Sequence, residues 1–358
     1  MTNQIGPAVT VLVDTYNHER FIEEALVSVL EQDFPASEME ILVVDDGSTD
    51  RTPEIVRKFG PRVRLLRKSN GGQASAFNAG ISEASSEIVA FLDGDDWWAS
   101  GKLTRVVDAM SQDAAVGIVG HGIVMVHRDG SEQSEVLREG FRFQASTMEG
   151  ARLLRRRGAF LGTSRMTIRT ELLRRIGPVP EAIEVQADEY FFTLAAVFGW
   201  AQILPEALTY YRLHEDNNFQ MSGNDPGKLR RKQQSLATLA QCLSQKIDEF
   251  GIDSAVRCAV TDYIKASADQ LRLMLDGGWP WETVRTEWTL YNILHPDAPL
   301  SHRLFKMAIL SGALITPPRA FYGAQRAAAR SPLYKRTRAR LLPVPQMQHI
   351  EKRERGKS

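Results

Sequence analysis

From Val9 to Leu92, short apolar runs alternate with segments whose apolar residues recur at helical spacing. Val9–Asp14, Glu40–Asp45, Val63–Arg67 and Ile88–Leu92 read as strands. Between them, Phe21–Gln32 puts Ile22, Leu26, Val29 and Leu30 on one helical face. Thr52-Pro53 opens a second helix, with Thr52 as N-cap and Pro53 at its first position, and Gln73–Ser82 forms a third. Such alternation predicts βαβ units and an α/β fold with a mostly parallel, Rossmann-like sheet flanked by helices. Ligands on these sheets bind at the carboxyl ends of the strands. Polar clusters occupy those ends here: Asp14–Asn17, Asp45–Asp50 and Asp93–Asp96.

The pattern changes after Gly117. Gly117–His127 reads as a strand running into an Asp129-Gly130 turn, and 160–169 and 201–213 are strand-like. Residues 228–275 are helical in character, and the turn formers of 223–227 mark a boundary before them. Three parts are expected: a catalytic domain over 1–222, a mainly helical C-terminal region over 223–318, and a basic, partly disordered tail over 319–358. The last stretch of about 20 residues is expected to be mobile.

The 358 residues carry no formal net charge, which points away from a nucleic-acid partner. The charge is unevenly distributed, however. From Arg319 to the end there are eleven Lys/Arg against two Asp/Glu, a local +9 on a −9 body. This asymmetry suits a surface that meets phosphates or anionic lipid. Two cysteines, Cys242 and Cys258, make no disulfide framework and point to a reduced, cytoplasmic chain. The N-terminus lacks the pattern of a signal peptide, and the apolar run Met307–Thr316 is too short to span a bilayer. Leu304, Met307, Ala308, Leu310 and Leu314 could line one helix face, either packed on the fold or lying at a membrane interface.

Five clusters carry candidate chemistry. Phe91-Leu92-Asp93-Gly94-Asp95-Asp96-Trp97 delivers three carboxylates from an apolar strand into one loop. Hard cations such as Mg2+ and Mn2+ take oxygen ligands of this kind together with substrate phosphates. The plain alternative is a solvated acidic turn. Asp45-Asp46-Gly47-Ser48-Thr49-Asp50 can cap a helix, and Asp45 at its strand end could accept a nucleobase N–H. Thr15-Tyr16-Asn17 offers a stacking face and hydrogen bonds. In Asn70–Gly80, Gly72, Gln73 and Asn78 lie where small residues let backbone approach a ligand. In the fifth cluster Arg212 and His214, two apart on a strand-like run, share a face. His18, His121, His127 and His302 read as ordinary.

In order and spacing these elements resemble glycosyltransferase family 2, the inverting enzymes of the GT-A fold, from Val9 to about Asn218. The resemblance implies that Thr15, Tyr16 and Asp45 hold a nucleoside, most often uridine, with Asn17, Asp46, Gly72, Gln73 and Asn78 in the same donor site. It implies further that Asp93 meets the ribose side and Asp95 binds the metal, with Asp96 behind it or capping the next helix. Arg212 and His214 would approach the diphosphate or the metal. Asp188-Glu189 stands where the family has Glu-Asp, so the acceptor base is one of the two. Phe77 stands where the family commonly has Arg, which removes a phosphate contact that Gln73 or Arg212 would have to replace. The implied reaction is inverting transfer from a nucleoside-diphosphate sugar, UDP-linked in the usual case, to a sugar or lipid-linked acceptor in cell-surface polysaccharide or glycolipid synthesis. Acceptor loops are expected at 129–165 and 214–227. A nucleotidyltransferase is the competing enzyme, but the loop after the first strand is acidic and aromatic rather than Gly-rich and basic. A non-catalytic nucleotide-sugar binder is the remaining alternative.

Overall fold

The computed structural model describes residues 8–214, 225–330 and 347–351. The chain folds as two compact units: residues 8–145, 156–214 and 347–351 build the first, and 146–155 and 225–330 the second.

The first unit is organised by β1 (Val9–Thr15), β2 (Met39–Asp45), β3 (Arg64–Arg67) and β4 (Ile88–Asp93). They lie parallel in the order β3-β2-β1-β4. Val9, Val11 and Val13 of β1 point to one face, where they pack with Ile22, Ala25, Leu26 and Val29 of α1 (Ile22–Leu30), Val56 of α2 (Thr52–Arg57) and Ile41 and Val43 of β2. On the opposite face α3 (Gly72–Glu83) crosses β1 and β2 closely. A Cβ built on Gly80 would stand 2.4 Å from Leu12 Cδ1, so only glycine fits there. Phe77 of α3 is fully buried and meets the rings of Phe91 and Phe191.

Beyond β4 the sheet becomes mixed. The two-residue β5 (Trp97–Trp98) precedes α4 (Lys102–Gln112) and β6 (Val116–Val126). β7 (Glu132–Leu137) and β8 (Phe141–Phe143) follow, then α5 (Met148–Arg157) and β9 (Thr167–Arg169). β9 runs antiparallel to both β4 and β6. After α6 (Thr170–Ile176) and α7 (Ala187–Phe198), the long β10 (Trp200–Arg212) lies parallel to β6 and antiparallel to β5 and β8. Pro205 sits in its register shift, where a missing backbone donor is tolerated.

The second unit is helical: α8 (Pro226–Glu249), α9 (Ser254–Asp276), α10 (Trp281–Leu294), α11 (Leu300–Ile315) and α12 (Pro318–Arg330). Leu273, Val284, Leu310, Ala313 and Tyr322 form its buried cluster. β11 (Met347–Glu351) pairs antiparallel with β7 of the first unit.

Several local expectations change. Residues 158–165 are two short 3-10 turns rather than strand, because Gly162 redirects the chain before β9 begins. The 228–275 stretch is two helices, broken at Gly251 with φ +66° and restarted by Asp253, whose carboxylate accepts the Ala255 and Val256 amides. Thr52 is not the cap of α2. Asp50 accepts its amide at 2.9 Å, and the Thr52 hydroxyl accepts the His18 amide. Residues 319–330, expected in the basic tail, belong to α12 (Pro318–Arg330), which buries Tyr322. Leu310, expected on one face with Leu304, Met307 and Ala308, is buried, whereas those three are exposed.

Candidate active site

Parallel pairing brings the ends of three strands level. Thr15 is opposite Asp45 across β1 and β2, and Asp14 is opposite Asp93 across β1 and β4. The β-period then decides which side chains face the loops and which the core.

At the β2 end, Asp45 is fully buried. Its Oδ1 accepts the Ser48 amide at 2.9 Å. Arg67 Nε lies 3.1 Å from Oδ2, an ion pair without hydrogen-bond alignment, so Oδ2 still lacks a hydrogen-bond donor. Asp46 is committed elsewhere: it accepts Lys68 Nζ (2.7 Å) and the Gly71 and Gly72 amides (3.0 and 2.7 Å). Its carboxylate holds the start of α3, and Gly72 takes its positive φ in that loop. Asn17, at φ +56°, accepts the Thr49 amide at 2.8 Å, while its own amide donates to Ser48 Oγ. Asn tolerates that left-handed conformation. Asn78 exchanges two 2.8 Å hydrogen bonds with the Val179 backbone. Asn17, Asp46 and Asn78 therefore staple loops around the donor end. Beside them Tyr16 is 44% exposed, with its ring available for stacking. Thr15 is buried, with its hydroxyl 3.2 Å from His18 Nδ1.

The acidic cluster stands at the β4 end. Single oxygens of Asp93, Asp95 and Asp96 lie within 4.8 Å of one another. Gln73 Nε2 donates to Asp93 Oδ1 at 3.0 Å and reaches towards Asp14. Burial, then the neighbouring Asp14, Asp95, Asp96 and Asp188 charges, push the Asp93 carboxyl well up. Burial pushes Asp14 to about 7, against hydrogen bonds from Gln73 and Asp93. Burial and the Asp95 charge also raise Asp96, whose oxygens accept Ser164 Oγ at 2.6 Å and the Arg212 amide at 3.1 Å. Asp95 differs. Burial alone would raise it, but His214 Nε2 at 2.9 Å and the His18 and His214 charges outweigh that and hold it below the usual carboxylate range. Arg212 bonds the Asp95 carbonyl (3.1 Å), pairs with Glu24 and lies over the Trp97 ring at 4.4 Å.

One short turn joins this cluster to the acidic pair. The Ser164 hydroxyl accepts the Asp93 amide (3.1 Å) and donates to Asp96. The adjacent Thr163 amide points at Asp188 Oδ2 at 3.3 Å. Below, the Ser164 carbonyl accepts Trp98 Nε1 and Thr209 Oγ1. Asp188 opens α7, where a helix N-terminus favours negative charge. Burial and Glu189 nevertheless raise its carboxyl to about 6. Glu189 is buried and accepts Gln186 Nε2 at 3.1 Å. Gln186, at φ +64°, is one of two described non-glycine residues in that region. Strain of this kind clusters at functional sites.

The fold thus brings Thr15, Tyr16, Asp45, Gln73, Asp93, Asp95, Asp188, Arg212 and His214 to one end of the sheet. It adds three residues that pattern reasoning missed or set aside. His18, read as ordinary, has Nε2 3.9 Å from Asp95. Its place in the loop after β1 was the available signal. Asp14 shares the buried carboxylate group, and Ser164 holds the acidic loop. Phe77 is core, so its helix position offers no phosphate contact, and Gln73 on the same helix points to Asp93. Residues 215–224 of the expected second acceptor loop lie outside the described residues.

A parallel half-sheet carrying an Asp-x-Asp loop, continued by a mixed half with an acidic helix start, defines a GT-A glycosyltransferase fold. The chain belongs to glycosyl transferase family 2, whose model matches residues 10–177. An uncharacterized glycosyltransferase of Nostoc sp. is 30% identical over 234 residues, 63% of this chain and 71% of that protein. Poly(ribitol-phosphate) beta-N-acetylglucosaminyltransferase TarS of Staphylococcus aureus is 42% identical over 92 residues, 25% of this chain and only 16% of that enzyme. The crystal structure of TarS residues 1–349 superposes with a TM-score of 0.60 at 19% identity, covering 89% of this chain and 91% of that one. The same fragment in complex with UDP-GlcNAc gives 0.60 at 20% identity, with the same coverage. At that identity the likeness speaks for the fold.

Proposed function

We propose that this glycosyltransferase moves a sugar, with inversion, from a UDP sugar to an acceptor hydroxyl, using Mg2+ or Mn2+ bound at Asp95. The observation that carries this reading is that Asp45 and Asp93 end the strands on either side of β1, with Asp95 two residues into the loop after Asp93 and Asp188 joined to Asp93 through the 163–164 turn. The catalytic residues in this reading all lie within 1–222, and the helical second unit, 146–155 and 225–330, is an appendage.

The donor set fits a hard cation. With ligands at about 2.1 Å in octahedral geometry, neighbouring ligand atoms stand about 3 Å apart. Asp95 Oδ2 and His214 Nε2 stand 2.9 Å apart, and single oxygens of Asp93, Asp95 and Asp96 lie within 4.8 Å of one another. When bound, the cation neutralises the diphosphate oxygens and so eases departure of the nucleoside diphosphate. Asp45 at the end of β2 is the acceptor for a ring N–H of the base, Tyr16 stacks on that base, and Thr15 closes the pocket. Asp93, oriented by Gln73 and Ser164, receives the ribose side. Arg212 faces the diphosphate.

Asp188 is the base, because its raised carboxyl is poised near neutral pH and its charge reaches Asp93. It takes the proton of the acceptor hydroxyl as that oxygen bonds to the anomeric carbon. The sugar–diphosphate C–O bond breaks, and its electron pair leaves with UDP. One displacement gives inversion. Glu189, held by Gln186, orients the start of α7. TarS, named for N-acetylglucosamine transfer to poly(ribitol phosphate) and crystallised with UDP-GlcNAc, makes that donor the first to try and a role in surface polysaccharide or glycolipid synthesis the first to examine.

The test is isothermal titration of UDP-GlcNAc with and without Mn2+, beside UDP release. The wild-type chain should bind more tightly with Mn2+ and release UDP. Asp95→Ala should lose both the metal dependence and at least about 100-fold in release. Equal metal-dependent affinity in the variant would overturn the metal assignment. Binding without any UDP release, across a panel of UDP sugars and acceptors, would leave a nucleotide-sugar-binding module.

A further inference from the structure

We propose that the outward face of α11 is a docking surface for an anionic lipid bilayer. Among the described residues no helix is long and apolar enough to cross a membrane, so the contact would be interfacial.

Leu310 and Ala313 turn one side of α11 into the core of the second unit. The opposite side presents Leu300, Leu304, Ala308, Ser311 and Ile315, a continuous stripe at helical spacing. Leu300, Leu304 and Ile315 are 70%, 55% and 83% exposed, and Phe305 and Met307 flank them. In the same unit Trp279 and Trp281, just before and at the start of α10, are exposed as well. Tryptophan suits the headgroup layer, where one end of the ring is apolar and the other wet. Scattered apolar residues are normal on a surface, but a run of this size on one helix marks an interaction site.

Charge selects the partner. From Ala298 to Arg330 there is no Asp or Glu, against five Lys/Arg, and the acid-free stretch continues in sequence to Ile350. Arg303 and Lys306 are tied to Asn292 and Glu287, so they fix α11 in place. Arg319 at the start of α12 is exposed, and one of its N–H groups donates to the Asp276 carbonyl at 3.0 Å. Apolar face and cation without acid is the pattern that binds anionic lipid. A second copy of the same acid-free stretch would oppose like charges.

The proposal stands apart from the donor chemistry, because vesicle binding is read without substrate. The experiment is co-sedimentation of the full chain with phosphatidylcholine vesicles, with and without phosphatidylglycerol, at low and high salt. The full chain should pellet with anionic vesicles about tenfold or more better than with neutral ones, and 0.5 M NaCl should weaken this. The double variant Leu304→Ser/Ile315→Ser, on exposed positions, should keep wild-type melting and UDP release but lose about tenfold in vesicle affinity. Equal vesicle binding by the variant, or equal binding to neutral vesicles, overturns the proposal. So does a wild-type dimer in analytical ultracentrifugation that the variant dissolves, because the face would then join two copies. A marked loss of melting temperature in the variant without vesicle binding also overturns it, since the stripe would be covered by the chain's own remaining segment.

Discussion

The two acidic side chains that open α7 differ by one position and by environment. Asp188 faces the turn that holds the acidic loop, whereas Glu189 is buried against Gln186. The order of the pair in sequence left the base open, because type favoured one residue and position the other. Their surroundings differ: Asp188 is raised to about 6, chiefly by burial, and on the proposed function it is the base. A base works as the carboxylate, so kcat/KM should be level above about pH 7 and fall as pH drops through about 6, where the free enzyme's carboxylate protonates. Asp188→Asn should remove that limb and lower kcat by about 100-fold or more, with donor affinity nearly intact. Glu189→Gln should keep the limb. An unchanged limb in Asp188→Asn would move the base elsewhere.

At the scale of elements, the close approach of α3 to β1 and β2 positions Gln73 under Asp93. That approach depends on Gly80, where a methyl group would meet Leu12 Cδ1 at 2.4 Å and Val44 Cγ2 at 3.0 Å. Gly80→Ala should therefore destabilise the first unit by about 1–3 kcal/mol in denaturant unfolding, despite alanine's better helix propensity. An unchanged or raised midpoint would show that α3 can lift without cost. The βαβ elements were legible because apolar runs and helical spacing recur there with capping and turn residues between. The 158–165 turns were not. Their residues are apolar enough to suggest a strand, and only the need to carry Ser164 and Thr163 to two different carboxyl groups gives the segment its shape.

For the whole molecule, the boundary of the basic tail matters most. Composition put it at 319, where positive charge rises. The helix α12 nonetheless continues to Arg330 and buries Tyr322 against Leu273 and Val284. A chain cut after Thr316 should lose at least about 3 kcal/mol from the second unit, the cost of emptying one large buried aromatic site, and show a lower melting transition. A chain cut after Arg330 should keep UDP release, because every proposed ligand and base precedes it. Equal melting of both truncations would mean that α12 is dispensable to the core. The rest of the tail, apart from 347–351, lies outside the described residues.

The sequence alone determined the parallel half of the first unit, the family and most of the acidic candidates. Strand period and helix period are local properties, and short loops between them can carry chemistry only at the strand ends. Tertiary structure decided which candidates share a site and which hold loops. Asn17, Asp46 and Asn78 have the same polar side chains as the proposed ligands, but their hydrogen bonds are taken by backbone groups brought from 25 or more residues away. His18 read as ordinary and Ser164 carried no signal in sequence, yet the fold sets them against Asp95 and Asp96. Which carboxyl becomes a base depends on desolvation, and burial is a property of packing, not of the local sequence.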